Sequence, residues 1–396
     1  MSDKILVLVN LNGGNDSLNT IIPLNAYRDY SKIRKDIAIP ESRVVPFKDI
    51  GLHPSLKKMG GLFKDGGLAI IQNVGMPQPD FSHFRAQDIW HTASHSNQYL
   101  QSGWIGRACE LSFPSGVHPS AIKIGTVPSL AMTGERATHG ITVASESSFY
   151  DFIDGTEPIP PGYGGKRLAM IREIRRSTEA YSAEIKKAAA SAGNHYPYPD
   201  DPFAAQLKIV ARLIAGGMQT KVYMVSMNGF DTHADQVNTG DTTTGAHADL
   251  LFRLSEAINA FMVDLSFLGI SDKVVGMTYS EFGRTIKPNG SRGTDHGSAG
   301  HQFVFGKNIN AGVFGSVTAE HLTGQFLPMQ FDFRDLYANA LTWLGTDDKS
   351  VLFGDFFQTN IIRPPAPPLT AKKVKYRFID IEENKEITLF TDKTWA

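Results

Sequence analysis

The sequence predicts an α/β fold in which helices cover a mostly parallel sheet. The first supporting observation is a set of short aliphatic runs, at residues 4–10, 68–74, 221–227 and 273–279. Runs without apolar–polar alternation are typical of strands that are buried on both faces, as in parallel sheets. The second observation is helical periodicity between these runs, at residues 167–190, 203–215 and 247–267. Strands that alternate with helices indicate α/β architecture.

The composition narrows the class of protein. Hydrophobic residues make up 41% of the 396 residues and charged residues 20%, which excludes a mostly disordered or fibrous chain. A net charge of −1 gives no indication of a nucleic-acid partner. Cys109 is the single cysteine, so an intrachain disulfide and a thiolate zinc site are both excluded. No apolar run approaches the ~18 residues that a membrane span needs.

Proline and glycine mark the boundaries within the chain. We expect one main domain over residues 1–362, and an exposed loop within it at residues 156–165. A stiff proline-rich connector follows at residues 363–369. In the tail, residues 370–396, alternation over 374–381 and 386–390 predicts a β-hairpin appendage. We expect this hairpin to cover a sheet edge or to bind a partner, which includes a second copy of the chain.

Four polar segments follow predicted strands, where an open α/β sheet leaves a crevice for ligands. They carry Asp16, then Ser82, then Asp231 with His233, and finally Asp295 with His296. Taken singly, Asp16 could be a turn residue or a helix cap, and Ser82 could be a helix cap. Together they supply the carboxylate, hydroxyl and imidazole donors that a binuclear metal site needs.

The motifs around these residues resemble those of the bacterial domain-of-unknown-function 1501 (DUF1501) family. They are Asn12–Thr20, Phe81–Phe84, Phe230–His233, Tyr279–Arg284 and Gly293–Gly297. That family is similar to the alkaline phosphatase superfamily, which includes arylsulfatases and phosphodiesterases. The resemblance implies a three-layer α/β/α sandwich. It also implies a hydrolase or transferase that acts on phosphate or sulfate esters of small molecules or glycans.

The resemblance also implies roles for single residues. One divalent cation, zinc or manganese by its mixed ligands, would be bound by Asp16, Asp295 and His296, and a second by Asp231, His233 and His301. Ser82 would be the nucleophile. Arg284 would stabilise the anionic oxygens of the ester, or alternatively pair with Glu281 or Asp335.

Several alternatives stay open at this point. His91 and His95 have the i,i+4 spacing of a helical zinc site, or they are surface or capping histidines. The polar segment 234–246 is a substrate lid or a surface loop. The protein is an enzyme, or a non-catalytic scaffold that retains at most one metal ion. Relatives often carry an export signal ahead of the first strand, whereas this sequence enters the strand after Met1-Ser-Asp. We therefore expect a cytoplasmic protein as the sequence stands, and a periplasmic one if such a signal has been removed.

Overall fold

The computed structural model describes residues 3–113, 116–144 and 181–364, and the backbone of 374–380 and 385–391. The predicted loop at 156–165, most of the predicted helix at 167–190 and residues 365–369 of the connector lie outside the described residues. The chain forms two compact units, Met1–Arg363 and Pro364–Ala396.

The strands of the first unit fall into two sheets. In chain order they are β1 (Ile5–Asn12), β2 (Ile21–Pro23), β3 (Val45–Phe47), β4 (Ile50–Leu52), β5 (Leu68–Gly75), β6 (Ala121–Ile124), β7 (Gly140–Val143), β8 (Val222–Asn228), β9 (Val274–Tyr279), β10 (Gly300–Gly306), β11 (Gly312–Phe314) and β12 (Phe331–Asp332). The central sheet has the order β11-β5-β10-β9-β1-β8-β6-β7, with β12 beside β5, and β2, β4 and β3 form a separate small sheet. Within the central sheet only β10 runs antiparallel to its neighbours, which confirms the mostly parallel prediction.

Helices cover both faces of this sheet. They are α1 (Ser17–Thr20), α2 (Tyr27–Ile33), α3 (Lys57–Lys64), α4 (His83–Thr92), α5 (Trp104–Ser112), α6 (residues 181–191), α7 (Pro202–Ala215), α8 (Ala246–Phe267), α9 (Phe333–Leu344) and α10 (Asp348–Leu352).

The alternation of side chains along β1 explains why the sheet has an apolar core on each face. Val7 packs in one apolar core with Leu207 of α7, and also with residues of α3 and α8. The next side chain, Leu8, packs in a second core with Ile105 of α5, and also with residues of α4 and α9. Because successive side chains of a strand point to opposite faces, the continuous apolar run of β1 contributes side chains to both cores. The predicted three-layer α/β/α sandwich is therefore confirmed.

In the second unit, β13 (Val374–Asp380) and β14 (Lys385–Thr391) pair antiparallel. Within the described residues of the chain, none of the helices has the length and apolar character that crossing a bilayer requires.

The register of three central strands determines where the polar segments of the chain meet. In the parallel pairing Asn12 of β1 lies opposite Asn228 of β8, and Asn10 lies opposite Tyr279 of β9. The carboxyl ends of β1, β8 and β9 therefore meet at one edge of the sheet. The polar segments 13–16, 229–233 and 280–284 all leave the sheet at this edge.

Candidate metal centre

A cluster of imidazole and carboxylate groups lies at this edge of the sheet. Among the described residues, His83, Asp231 and His296 offer ligand atoms that all lie within 4.8 Å of one another. His83 Nε2 is 3.4 Å from Asp231 Oδ2, and His296 Nε2 is 3.3 Å from Asp231 Oδ1. His233 joins the cluster, since its Nε2 is 3.1 Å from Asp231 Oδ1 and 2.9 Å from His296 Nε2.

Hydrogen bonds fix the proton of each imidazole on the side away from the cluster. His83 Nδ1 donates to Glu281 Oε1 at 2.8 Å, and His233 Nδ1 donates to Asp295 Oδ1 at 3.0 Å. His296 Nδ1 donates to the carbonyl oxygen of Phe81 at 2.7 Å. Carboxylates and carbonyls only accept, so each neutral ring keeps its hydrogen on Nδ1 and directs the Nε2 lone pair into the cluster. Such outer hydrogen bonds are typical of metal-binding histidines.

The cluster fits a divalent cation. Two lone pairs at the 2.9 Å separation of His233 Nε2 and His296 Nε2 repel each other, and a cation between them removes that repulsion. His83 Nε2 is buried and has no hydrogen-bond partner in the described part of the chain. Tetrahedral ligands ~2.0–2.1 Å from zinc lie roughly 3.3–3.4 Å from each other, close to the distances from Asp231 to His83 and His296.

Arg284 holds the loops of the site together. Its fully buried guanidinium donates to Asp231 Oδ1 at 2.5 Å. The same group donates to four backbone carbonyls, those of Gly13, Gly14, Phe230 and Thr294. Burial raises the pKa of Asp231, but the hydrogen bond and charge of Arg284 outweigh it and hold that pKa below its ordinary value. The arginine thus pairs with Asp231, and with neither Glu281 nor Asp335.

Glycines in the motifs let these segments approach closely. At Gly13, whose φ is +122°, a Cβ atom would lie 2.3 Å from the backbone nitrogen of Asp231. At Gly293 a Cβ atom would lie 2.2 Å from the carbonyl oxygen of His233. Any side chain at either position would push apart the loops that carry the imidazoles and the carboxylate.

The structure brings part of the expected ligand set together. Asp231, His233 and His296 meet in the cluster, and Asp295 contacts it through its hydrogen bond to His233. Asp16 is buried and accepts hydrogen bonds from Arg34 and Gln236 instead. His301 is buried, and its Nδ1 accepts the backbone N–H of Asn73 at 3.1 Å. The cluster that the structure forms therefore contains neither Asp16 nor His301.

Ser82 lies at the start of α4, beside the cluster. It is the N-cap residue, but its side chain makes no capping hydrogen bond, and the residue is exposed. The preceding residue, Phe81, accepts a hydrogen bond from His296, and the following residue is His83 itself. Ser82 is therefore flanked in the chain by two residues that contact the cluster, and its hydroxyl does not cap the helix.

Sequence reasoning missed His83. The residue stands in the Phe81–Phe84 motif, directly after the serine that was singled out. A requirement for a further imidazole beside His233 and His296 could have pointed to it. The rival pair His91 and His95 does not share one helix face, because α4 ends at Thr92 and Ala93 is left-handed (φ +56°). His91 lies 3.3 Å from the Tyr279 hydroxyl, while His95 contacts Arg334.

A comparison with protein families agrees with the motifs that follow Phe230. A model of the family described as "Protein of unknown function (DUF1501)" matches residues 165–358. The resemblance to that family is confirmed. No curated protein shows a significant sequence match to the chain.

Solved structures resemble the chain only distantly. An alkaline phosphatase superfamily protein from Vibrio parahaemolyticus is 9% identical, with 95% of this chain and 73% of that chain covered and a TM-score of 0.42. The C-terminal periplasmic domain of EcEptC from Escherichia coli is 9% identical, with 91% and 88% covered and a TM-score of 0.40. The PsFucS1 sulfatase from Pseudoalteromonas sp. is 9% identical, with 91% and 73% covered and a TM-score of 0.39. Similarity at this level does not extend to activity or substrate.

Proposed function

We propose that the protein is a metal-dependent hydrolase of phosphate or sulfate esters. Its divalent cation is bound by His83, Asp231 and His296, with His233 as the fourth ligand. The observation that carries this proposal is that the Nε2 atoms of three imidazoles lie 3.1–3.4 Å from the Asp231 carboxylate, with every Nδ1 hydrogen directed outward. The ester class follows from the resemblance of the motifs to the alkaline phosphatase superfamily.

The donor set favours zinc or manganese, because imidazole nitrogen and carboxylate oxygen suit these ions better than magnesium. When bound, such an ion supplies Lewis acidity toward an ester oxygen and lowers the pKa of a hydroxyl or water. Asp231 remains ionised for this role, since Arg284 lowers its pKa.

Ser82 is the proposed nucleophile. The residue is exposed, its side chain does not cap α4, and in the chain it stands between Phe81, which anchors His296, and the ligand His83. The N-terminus of the ten-residue helix α4 adds a positive electrostatic potential, which favours an anionic ester and a developing alkoxide at this position.

Arg284 acts in this proposal as a positioning residue. The structure provides it with backbone carbonyls and Asp231 as partners, and its guanidinium is fully buried. It therefore orients Asp231 and the loops around it. Stabilising the ester oxygens, the role that the sequence suggested, would require these hydrogen bonds to be given up.

The test combines metal analysis with turnover of chromogenic esters. The protein is stripped with a chelator, reloaded with Zn²⁺ or Mn²⁺, and assayed with p-nitrophenyl phosphate and p-nitrophenyl sulfate. We expect metal-dependent turnover of at least one ester. In Ser82→Ala, kcat should fall by more than roughly 100-fold while the metal content stays unchanged.

Ser266→Ala is the matched control, because Ser266 is an exposed serine near the end of α8. It should leave both activity and metal content unchanged. A protein that binds metal at the cluster but turns over neither ester would support the scaffold alternative. Full activity in Ser82→Ala would remove the serine from the mechanism and leave a bound water as the nucleophile.

A further inference from the structure

The turn after β1 carries a second carboxylate in a very different setting. Asp16 is 1% exposed, and its Oδ2 accepts hydrogen bonds from Arg34 Nη1 and from Gln236 Nε2, each at 2.6 Å. Burial raises the pKa of Asp16, but the charge of Arg34 and the hydrogen bonds outweigh it and lower that pKa overall. Asp16 is therefore an ionised carboxylate whose counter-ion belongs to the protein.

Arg34, the residue that ends α2, is locked in place beside Asp16. Its Nε donates to the Ile286 carbonyl at 2.8 Å, and its Nη2 donates to the Thr285 carbonyl at 2.8 Å. Nη1 also donates to Asn19 Oδ1 at 3.0 Å. Because arginine keeps its charge inside proteins, the guanidinium is a permanent buried cation at this position.

Gln236 connects this ion pair to the metal centre. While its Nε2 donates to Asp16, its Oε1 accepts from the hydroxyl groups of Thr232 and Thr294, each at 3.0 Å. Thr232 stands between Asp231 and His233, and Thr294 stands two residues before His296. One amide side chain thus contacts two of the three segments that carry ligands.

We propose that the centre binds a single divalent cation, and that Arg34 provides beside Asp16 the positive charge that the family resemblance assigns to a metal ion there. The Arg34–Asp16–Gln236 network positions the segments that carry Asp231 with His233 and His296 around the one cation. This inference rests on the metal site of the proposed function.

The surroundings of Asp16 do not fit a cation. Asp16 Oδ1 and His301 Nε2 are buried and lack a hydrogen-bond partner in the described part of the chain, but only Asp16 Oδ1 has a lone pair to offer. The remaining expected ligand, His301, accepts the Asn73 N–H at Nδ1, so its neutral ring carries hydrogen on Nε2 and offers no free lone pair. Burial lowers the pKa of His301 to about 3, which keeps that ring neutral. A divalent ion at Asp16 would also lie against the Arg34 guanidinium and be repelled by it.

Metal stoichiometry tests this inference directly. Protein stripped by a chelator is reloaded with excess Zn²⁺, desalted and measured by mass spectrometry of the metal. We expect one Zn²⁺ per chain, close to none in His83→Ala, and one in the double variant Asp16→Asn/Arg34→Met. Anomalous diffraction from zinc-loaded wild-type crystals locates the ion without any variant, and should show one peak at the histidine cluster and none at Asp16.

Two zinc ions per chain, with a peak at Asp16, would overturn the inference and leave the proposed hydrolase standing. No zinc at the histidine cluster would overturn the proposed function as well. The two failures are therefore distinguishable.

The positioning role of Gln236 has its own readout. In Gln236→Met we expect the Kd for Co²⁺ to rise about tenfold and the visible Co²⁺ absorption bands to shift, because the ligand segments lose their common anchor. Gln302→Met is the matched control, since Gln302 is also buried and accepts from a threonine hydroxyl, that of Thr278. Equal changes in the two variants would show a general loss of stability and would overturn the positioning role.

Discussion

The histidines of the cluster and those outside it differ in the partner of Nδ1. In the cluster, Nδ1 of His83 donates to a carboxylate, and Nδ1 of His296 donates to a carbonyl. Beyond the cluster, Nδ1 of His301 and of His53 accepts a backbone N–H. The first arrangement leaves the Nε2 lone pair available for a cation, and the second places a hydrogen there. Residue type alone therefore does not identify a ligand; the group behind the ring decides.

The two aspartates show the same contrast. Asp231 is 46% exposed and shares its oxygens between Arg284 and three imidazoles. Asp16 is buried, and a guanidinium and an amide already occupy Oδ2. One aspartate is half-exposed among imidazoles and is the proposed ligand, while the other is the anchor of a buried ion pair.

The largest expected effect comes from Arg34→Met, which leaves the charge of Asp16 buried and uncompensated. We expect the free energy of unfolding to fall by about 3–5 kcal/mol, measured by urea denaturation. The double variant Arg34→Met/Asp16→Asn should recover much of this loss, because it removes both charges. A single variant as stable as the wild type would mean that the pair is not the anchor of this region.

The pH dependence of the free energy of unfolding, measured by urea denaturation, should also reflect the Asp16–Arg34 pair. Since the folded pKa of Asp16 lies below 3.8, its ionisation stabilises the fold above that pH. This stability is lost as the pH falls through the folded pKa, and Asp16→Asn should lose less over that range.

The next effect concerns the metal. Glu281→Gln keeps an oxygen for the Gly13 N–H and for His83 Nδ1 but removes the buried negative charge behind the ring. We expect the Kd for Zn²⁺ to rise roughly 10–100-fold, or about 1.4–2.8 kcal/mol, in competition with a chelating dye. Unchanged affinity would mean that the charge of Glu281 does not support His83 as a ligand.

The sequence predicted those features that depend on residues close together in the chain. Aliphatic runs predicted β1, β5, β8 and β9, and their shared edge drew attention to the segments that carry Asp231, His233 and His296. The edge follows from the direction of parallel strands, so it needs no knowledge of side-chain contacts.

The missing parts depend on contacts between distant residues. The charge on Asp16 is paired with Arg34, 18 positions away on another element, and no periodicity indicates that pairing. His296 gains its tautomer from the backbone carbonyl of Phe81, which any residue could provide. A sequence shows which side chains can act as ligands, but these hydrogen bonds across the fold select among them.

A smaller effect is expected for Asp295→Asn. Asp295 also supports an imidazole, that of His233, but its side chain is 58% exposed, whereas that of Glu281 is 1% exposed. The amide oxygen can still accept from His233 Nδ1, and water can replace it. We expect the Kd for Zn²⁺ to rise by less than about tenfold. A rise that matches or exceeds that of Glu281→Gln would break the link between burial of the acceptor and its influence on the metal.

The smallest effect is expected at an exposed ion pair beside the segment 234–246, away from the buried Gln236 of the same segment. Thr242 donates to the Ala38 carbonyl at 2.6 Å, and Asp235 pairs with Arg292 in an exposed ion pair. Arg292→Ala should lower the free energy of unfolding by no more than about 1 kcal/mol and leave the Kd for Zn²⁺ unchanged, because exposed pairs are screened by solvent. Both quantities are measured by the same urea denaturation and dye titrations, so Arg292→Ala shows how large a change an exposed residue produces. A tenfold change in Zn²⁺ affinity would instead show that the exposed ion pair, and not only Gln236, connects this segment to the metal centre, as a lid over the site would.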